Sequence, residues 1–232
     1  MLSVQQLACE RGRKRLFSGL NFEVQPGQCL QVHGANGAGK TSLLRIVCGL
    51  ADAAHGRVCW DGADTRLDPG ALRAELVYLG HAPGLKDELS AAENLDYQSR
   101  IDGYALRAQH IAAALQRVGL GGMGMRKPGQ LSGGQIGRAA LARALLRARP
   151  ILLLDEPFAA LGPALKAEML DLVAETAAET GATVLMVTHD PADARCFADL
   201  TVLVEGGVAH PPQATAALFA NPPPALQAYL GK

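Results

Sequence analysis

The stretch Gly34-Ala35-Asn36-Gly37-Ala38-Gly39-Lys40-Thr41 constrains this chain more than any other. It fits GxxxxGK[ST] in full, with a strand-like run (residues 28–33) before it and a helix-like run (residues 41–48) after it. A strand entering a glycine-rich turn and leaving as a helix predicts a buried strand in a sheet covered by helices. The residue types state the chemistry. Gly34, Gly37 and Gly39 let the backbone bend so that the N–H groups of this stretch, those of Ala35, Asn36 and Ala38 included, face a polyphosphate. The helix that follows turns the positive end of its dipole toward the same anion. Lys40 adds a point charge for the β- and γ-phosphates, and the Thr41 hydroxyl, with Ser42 beside it, is placed to ligate Mg²⁺. An incidental glycine-rich turn would lack the flanking strand and helix.

Three further segments extend this chemistry. Ile151-Leu152-Leu153-Leu154-Asp155-Glu156 is an apolar strand ending in two acids. Asp155 suits the Mg²⁺ shell and Glu156 suits the polarisation of an attacking water; alone, such acids also serve as helix caps. His189 follows another apolar run, residues 183–187, and so stands at a strand's C-terminal edge, where the ligands of such sheets bind. There it can meet a γ-phosphate or the attacking water. Leu131-Ser132-Gly133-Gly134-Gln135 precedes a helical stretch. Ser132 is placed to cap it, and the two glycines leave backbone N–H groups open to an anion. One chain cannot easily bring both phosphate-binding segments to one nucleotide. A symmetric dimer solves this, with each nucleotide between one copy's phosphate loop and the other copy's Ser132-Gly133-Gly134.

Composition narrows the field. Lys plus Arg equals Asp plus Glu, 22 against 22, so nothing suggests a nucleic-acid binder, which needs a basic excess. The basic run Arg11-Gly12-Arg13-Lys14-Arg15 is read as a solvated loop. Five cysteines without CxxC spacing argue against a disulfide framework or a zinc site, and fit a reducing compartment. The start of the chain lacks the pattern of a signal peptide. The most apolar stretch, residues 139–154, is interrupted by Arg143, Arg147, Arg149 and Pro150 and is too short to span a bilayer. A soluble protein is expected, with any membrane role acting through a partner. His33, His55, His110 and His210 carry no functional reading.

Along the chain, strands are expected at 2–7, 20–24, 28–33, 76–79, 151–154, 183–187 and 201–204, with a turn after residues 58–60. Residues 91–149 look helical, with breaks at 119–124 and 128–129. A proline-punctuated tail is expected to end in a short helix at 226–230. The layout is a mixed-sheet core, approximately 1–81 and 149–232, with a helical insertion at 82–148, all within one domain.

Together these residues resemble the ABC ATPase family, in order and spacing, over nearly the whole chain. Residues 34–41 resemble its Walker A, 131–135 its signature, 151–156 its Walker B with catalytic glutamate, and His189 its switch histidine. The resemblance implies an α/β P-loop NTPase fold: a RecA-like core, an antiparallel β subdomain and a helical subdomain. It also implies an ATP hydrolase coupled to transport. Such a subunit forms a homodimer when ATP is bound and drives integral membrane permease subunits. It lies peripherally on the cytoplasmic face of the bacterial inner membrane and makes no direct contact with cargo. Three positions depart from the pattern. Arg11 stands where an aromatic usually stacks on adenine, and a guanidinium can also stack on a base. His81 stands where a glutamine usually links the Mg²⁺ site to the helical lobe. Gly162 stands where an aspartate usually follows Ala-Leu.

The resemblance to subfamilies is split. Up to about residue 95 the chain is similar to the ATP-binding subunit of the haem exporter of cytochrome c maturation, through Leu16-Phe17-Ser18-Gly19-Leu20, residues 34–45 and Tyr78-Leu79-Gly80-His81. From about residue 118 it is similar to thiamine-importer subunits, through residues 130–149, 160–165 and 186–194. Permease contacts are expected near His81, so haem export is the first expectation. Thiamine import is the alternative, and a soluble, non-transport ABC ATPase a further one; a hybrid chain would also show such a split.

Overall fold

The computed structural model describes residues 1–229. Strands β1 (Leu2–Arg11) and β2 (Lys14–Val24) form a hairpin, longer than the alternation at 2–7 and 20–24 predicts. Its turn passes through Gly12 in the left-handed region, φ 63°. β3 (Cys29–Gly34), buried along its whole length, runs into the glycine-rich loop and α1 (Lys40–Val47). The chain continues through β4 (His55–Trp60), β5 (Ala63–Asp64), α2 (Pro69–Glu75) and β6 (Leu76–Leu79). Next come α3 (Ala91–Ile101), α4 (Ala108–Arg117), a single 3₁₀ turn (Pro128–Gln130) and α5 (Gly133–Leu145). The chain then alternates: β7 (Ile151–Asp155), α6 (Pro163–Thr180), β8 (Thr183–Thr188), α7 (Ala192–Phe197) and β9 (Leu200–Glu205). It closes with β10 (Val208–Ala209), β11 (Gln213–Ala214), α8 (Thr215–Ala220) and α9 (Pro224–Tyr229). The expected tail helix at 226–230 matches α9 up to Tyr229; residue 230 lies outside the described residues.

The described residues form a mixed 11-stranded sheet in the order β5-β4-β1-β2-β10-β9-β3-β8-β7-β6, with β11 beside β9. From β9 to β6 all neighbours are parallel. From β5 to β2 all are antiparallel. The composition of β7 shows why the parallel part, which runs to the β6 edge of the sheet, is covered on both faces. Ile151 and Leu153 enter the apolar cluster on one face, with Leu43, Leu44 and Val187; Leu152 and Leu154 enter the cluster on the other, with Leu95, Leu141 and Met186. Successive side chains point to opposite faces, so an unbroken apolar run can be satisfied only by a strand covered on both sides.

Helices α3, α4 and α5 fall in the stretch expected to be helical, and both α3 and α5 open on capping boxes, Ser90 with Glu93 and Ser132 with Gln135. The helical pattern also breaks at Gly103, φ 89°, between α3 and α4, where none was expected. Among the described residues no helix is long and apolar enough to cross a membrane. The five cysteines are free, and burial pushes the Cys29 and Cys48 thiols up to about 12.

Leu153 is fully buried in β7. Truncation to Ala is expected to cost about 3 kcal/mol, read as a lower denaturation midpoint. Leu67, 85% exposed, is expected to tolerate the same change within about 0.5 kcal/mol.

Candidate nucleotide-binding site

The glycine-rich loop leaves the C-terminal end of β3, next to the ends of β8 and β9, where ligands of open parallel sheets bind. Gly39 is needed on two counts: its φ is 96°, and a Cβ there would come within 2.9 Å of the Leu16 Cβ on β2. The loop is therefore wedged against the hairpin. Lys40 follows it into α1 and donates from Nζ to the carbonyl oxygens of Gly34 (2.7 Å) and Ala35 (3.1 Å). Burial pulls its pKa down, against the pull of the Glu156 and Asp155 carboxylates. A cavity of about 560 Å³ opens beside the loop, walled by residues 34–38, by Lys14, Arg15 and Leu16 of β2, and by residues 203–207.

Behind the loop, Asp155 ends β7. The Thr41 Oγ1 donates to its Oδ1 at 3.0 Å and the Tyr78 hydroxyl to its Oδ2 at 3.1 Å. Burial pushes the Asp155 carboxyl up, while those two hydrogen bonds act the other way. A hydroxyl and a carboxylate in contact are hard oxygen donors that suit a small, hard cation. Among the described residues there is no group of three or more His, Cys, Asp or Glu side chains able to hold a metal by itself. The pair thus fits Mg²⁺ that takes much of its shell from phosphate and water.

Glu156 turns away from its neighbour. Its φ of 50° is left-handed, and its N–H bonds the Val187 carbonyl at 2.9 Å. Its Oε2 lies 2.7 Å from Nδ1 of His189, in the loop after β8. For a carboxylate acceptor this makes Nδ1 the protonated nitrogen.

Not every expected residue reaches the cavity. Arg11 does not line it. β2 stands between β1 and the loop side of the sheet, so Lys14, Arg15 and Leu16 form the wall where the sequence alone pointed to Arg11. His81 is exposed in the loop after β6, and its charge favours the ionised form of Asp155. Ser132, Gly133, Gly134 and Gln135 also stay off the cavity wall. Ser132 caps α5, accepting from Gln135 N–H at 3.3 Å. Gly134 lets α5 close on the loop after β7: a Cβ there would meet the Leu161 Cδ2 at 2.8 Å. Ser42 is the third residue of α1, and its side chain bonds that of Cys9. Gly162 caps α6 with open space around its Cα. Sequence reasoning passed over Tyr78; an aromatic with a hydroxyl at the end of a strand next to the acidic one was the available signal.

The pKa of Asp155 is raised in the fold, so the native state binds more protons than the unfolded chain just above the ordinary carboxylate range. This group's contribution to stability therefore falls as pH rises through that window. Asp155→Asn is expected to raise the melting temperature at pH 7.5, by about 2–4 °C per kcal/mol relieved. The gap to the wild type should narrow as pH falls. Melting curves at several pH values check both.

The comparisons with known proteins agree with this site. The family model described as "ABC transporter" matches residues 17–159. "Thiamine import ATP-binding protein ThiQ" of Cereibacter sphaeroides is 59% identical over 208 residues, 88% of this chain and 89% of its own. "Cytochrome c biogenesis ATP-binding export protein CcmA" of Methylococcus capsulatus is 47% identical over 197 residues, 84% and 93% of the two chains. Among solved structures, a dimeric ATP-binding cassette in a post-hydrolysis state, bound to ADP and Pi, superimposes with a TM-score of 0.82. It is 25% identical and covers 93% of this chain and 99% of that one. A phosphate loop, paired acids and a histidine in this order and on this fold place the chain in the ABC transporter family, as an ATP-binding subunit whose hydrolysis of ATP is coupled to transport.

Proposed function

We propose that the chain is the ATPase subunit of a thiamine importer. The observation that carries this is the 59% identity to a thiamine import subunit, against 47% to the haem-export one. The first expectation, haem export, gives way to its alternative. The mixed resemblance itself stands: relatives of both kinds match, over 208 and 197 residues of a chain of 232, so the two matches overlap. In this reading the cassette forms a homodimer with ATP and drives integral membrane permease subunits. It sits peripherally on the cytoplasmic face of the inner membrane, with residues 82–148 as its helical subdomain.

The roles of the side chains follow from their geometry. Lys40 and the N–H groups of residues 34–41 bind the phosphates. Thr41 and Asp155 would hold Mg²⁺, which when bound neutralises charge on the β- and γ-phosphates. The Glu156 Oε2 is engaged by His189, so Oε1 is left to take the proton of the attacking water. With Nδ1 engaged by Glu156, the Nε2 of His189 would serve the γ-phosphate. Ser132, Gly133 and Gly134 close the site of the other copy: the Ser132 oxygen accepts a bond within its own helix, and its proton remains for a phosphate oxygen.

Glu156→Gln is expected to lower turnover by about 10²–10⁴-fold, with ATP affinity retained and ATP-bound dimers accumulating in size-exclusion chromatography. Lys40→Ala is expected to weaken ATP binding itself, measured by titration with a fluorescent analogue. Cargo class is tested by co-expression with a thiamine-importer permease and with a haem-exporter permease. Co-purification and stimulated hydrolysis are expected with the first; capture by the second alone would overturn thiamine import.

A further inference from the structure

His189 is a poorly held residue for the role proposed for it. Its side chain is 54% exposed, so packing does not fix the imidazole. A polar frame surrounds its backbone instead. Asp190 N–H donates to Thr188 Oγ1 at 3.1 Å, and that hydroxyl donates to Asp193 Oδ2 at 2.8 Å. The Asp190 carbonyl accepts from Gln31 Nε2 at 3.3 Å, and its Oδ1 accepts from Ala192 N–H at 2.9 Å. Two carboxylates in this frame would repel each other. Lys166 of α6 lies between them, its Nζ 2.5 Å from Asp190 Oδ2 and 2.8 Å from Asp193 Oδ1.

The other end of this clasp leads to the signature segment. Lys166 N–H donates to the Gly162 carbonyl at 2.9 Å, so Lys166 is in the first turn of α6, directly after the loop 159–162. That loop places Leu161 on Gly134 of α5. A rigid helix start thus joins the contact at Gly134 to the loop that carries His189.

We propose that Lys166 is a positioning residue for ATP hydrolysis: by clasping Asp190 and Asp193 it holds His189 against Glu156, and it ties that hold to the loop packed on the signature helix. The inference rests on Glu156 and His189 acting as the hydrolytic pair. A second copy that closes on Gly133 and Gly134 would push on the 159–162 loop, and α6 would pass the displacement to His189.

The test is a double-mutant cycle between Lys166→Met and His189→Ala on the full chain, measuring kcat, the KM for ATP and nucleotide affinity. Lys166→Met is expected to lower kcat about tenfold or more with KM within about twofold, and Lys166→Arg to recover most of the loss. In the His189→Ala background the same Met change is expected to cost less than about twofold, because the residue it acts through is gone. Wild-type kcat in Lys166→Met, beside a loss in His189→Ala, would overturn this inference alone. An equal loss from Lys166→Met in both backgrounds would also overturn it, leaving Lys166 a merely structural residue. Unchanged turnover in His189→Ala would overturn the hydrolytic pair and this inference with it. Should Lys166→Met fail to fold, Asp190→Asn, which loosens the clasp but leaves Asp193 paired, is expected to show the same non-additive loss; additivity there would overturn the proposal.

Discussion

A carboxylate kept in the interior at the end of β7 organises the site. Asp155 is 2% exposed, and burial works against its charge. A buried charge without partners is costly enough to neutralise itself. Here one hydroxyl reaches each oxygen, Thr41 from α1 and Tyr78 from β6. The two donors come from opposite directions along the sheet: β6 adjoins β7, while the loop leading to Thr41 starts from β3, beyond β8. A change in strand order would cost Asp155 one of its partners. The sheet order and the charge on this group are thus one constraint, and the phosphate loop is placed by it.

The next residue shows how two neighbouring acids acquire different chemistry. In an extended strand Glu156 would simply point to the face opposite Asp155. The left-handed turn at Glu156, a conformation that costs of order 1–3 kcal/mol in a non-glycine residue, instead ends the strand and brings the side chain to the loop after β8. Its N–H remains satisfied by Val187. One carboxylate is held by hydroxyls beside Lys40 and suits a cation; the other is held by an imidazole at the mouth of the sheet and suits a proton. The strain at one backbone position separates the roles.

Much of this was legible before any coordinates. A phosphate loop is a contiguous pattern, and so is an apolar strand that ends in acids, because the physics that builds them is local: backbone curvature in one case, burial on both faces in the other. What was missed is non-local. Tyr78 is 77 positions from Asp155, and Lys166 is 24 from Asp190. Neither lies in a periodic pattern that marks it, and only the sheet and the start of α6 bring them to their partners. That Lys14, Arg15 and Leu16, and not Arg11, wall the cavity is non-local too, since the pairing of β1 with β2 decides which arm of the hairpin faces the loop. The break at Gly103 was hidden because one glycine inside a helical pattern is tolerated and does not by itself mark an end. Cargo was the least legible property: segments similar to two subfamilies run through one chain, and the residues at this site read phosphate, not cargo.

The signature segment carries the remaining step. In the single chain its Ser132 and Gly133 are exposed and off the cavity wall, while Gly134 is occupied by Leu161. A glycine-rich helix start that served only as a cap would not need two glycines in a row, since the capping box is complete with Ser132 and Gln135. The geometry gives them separate tasks. Gly134 admits Leu161 and so joins α5 to the loop after β7, and Gly133 leaves the helix start bare toward solvent. A bare helix N-terminus favours an anion, and in the proposed homodimer the anion on offer is the nucleotide of the other copy. The phosphate that fills this end would press on the same short helix start that contacts the 159–162 loop. A site assembled from two copies therefore has a physical route by which closure at one surface is felt beside Glu156, using packing that the single chain already contains.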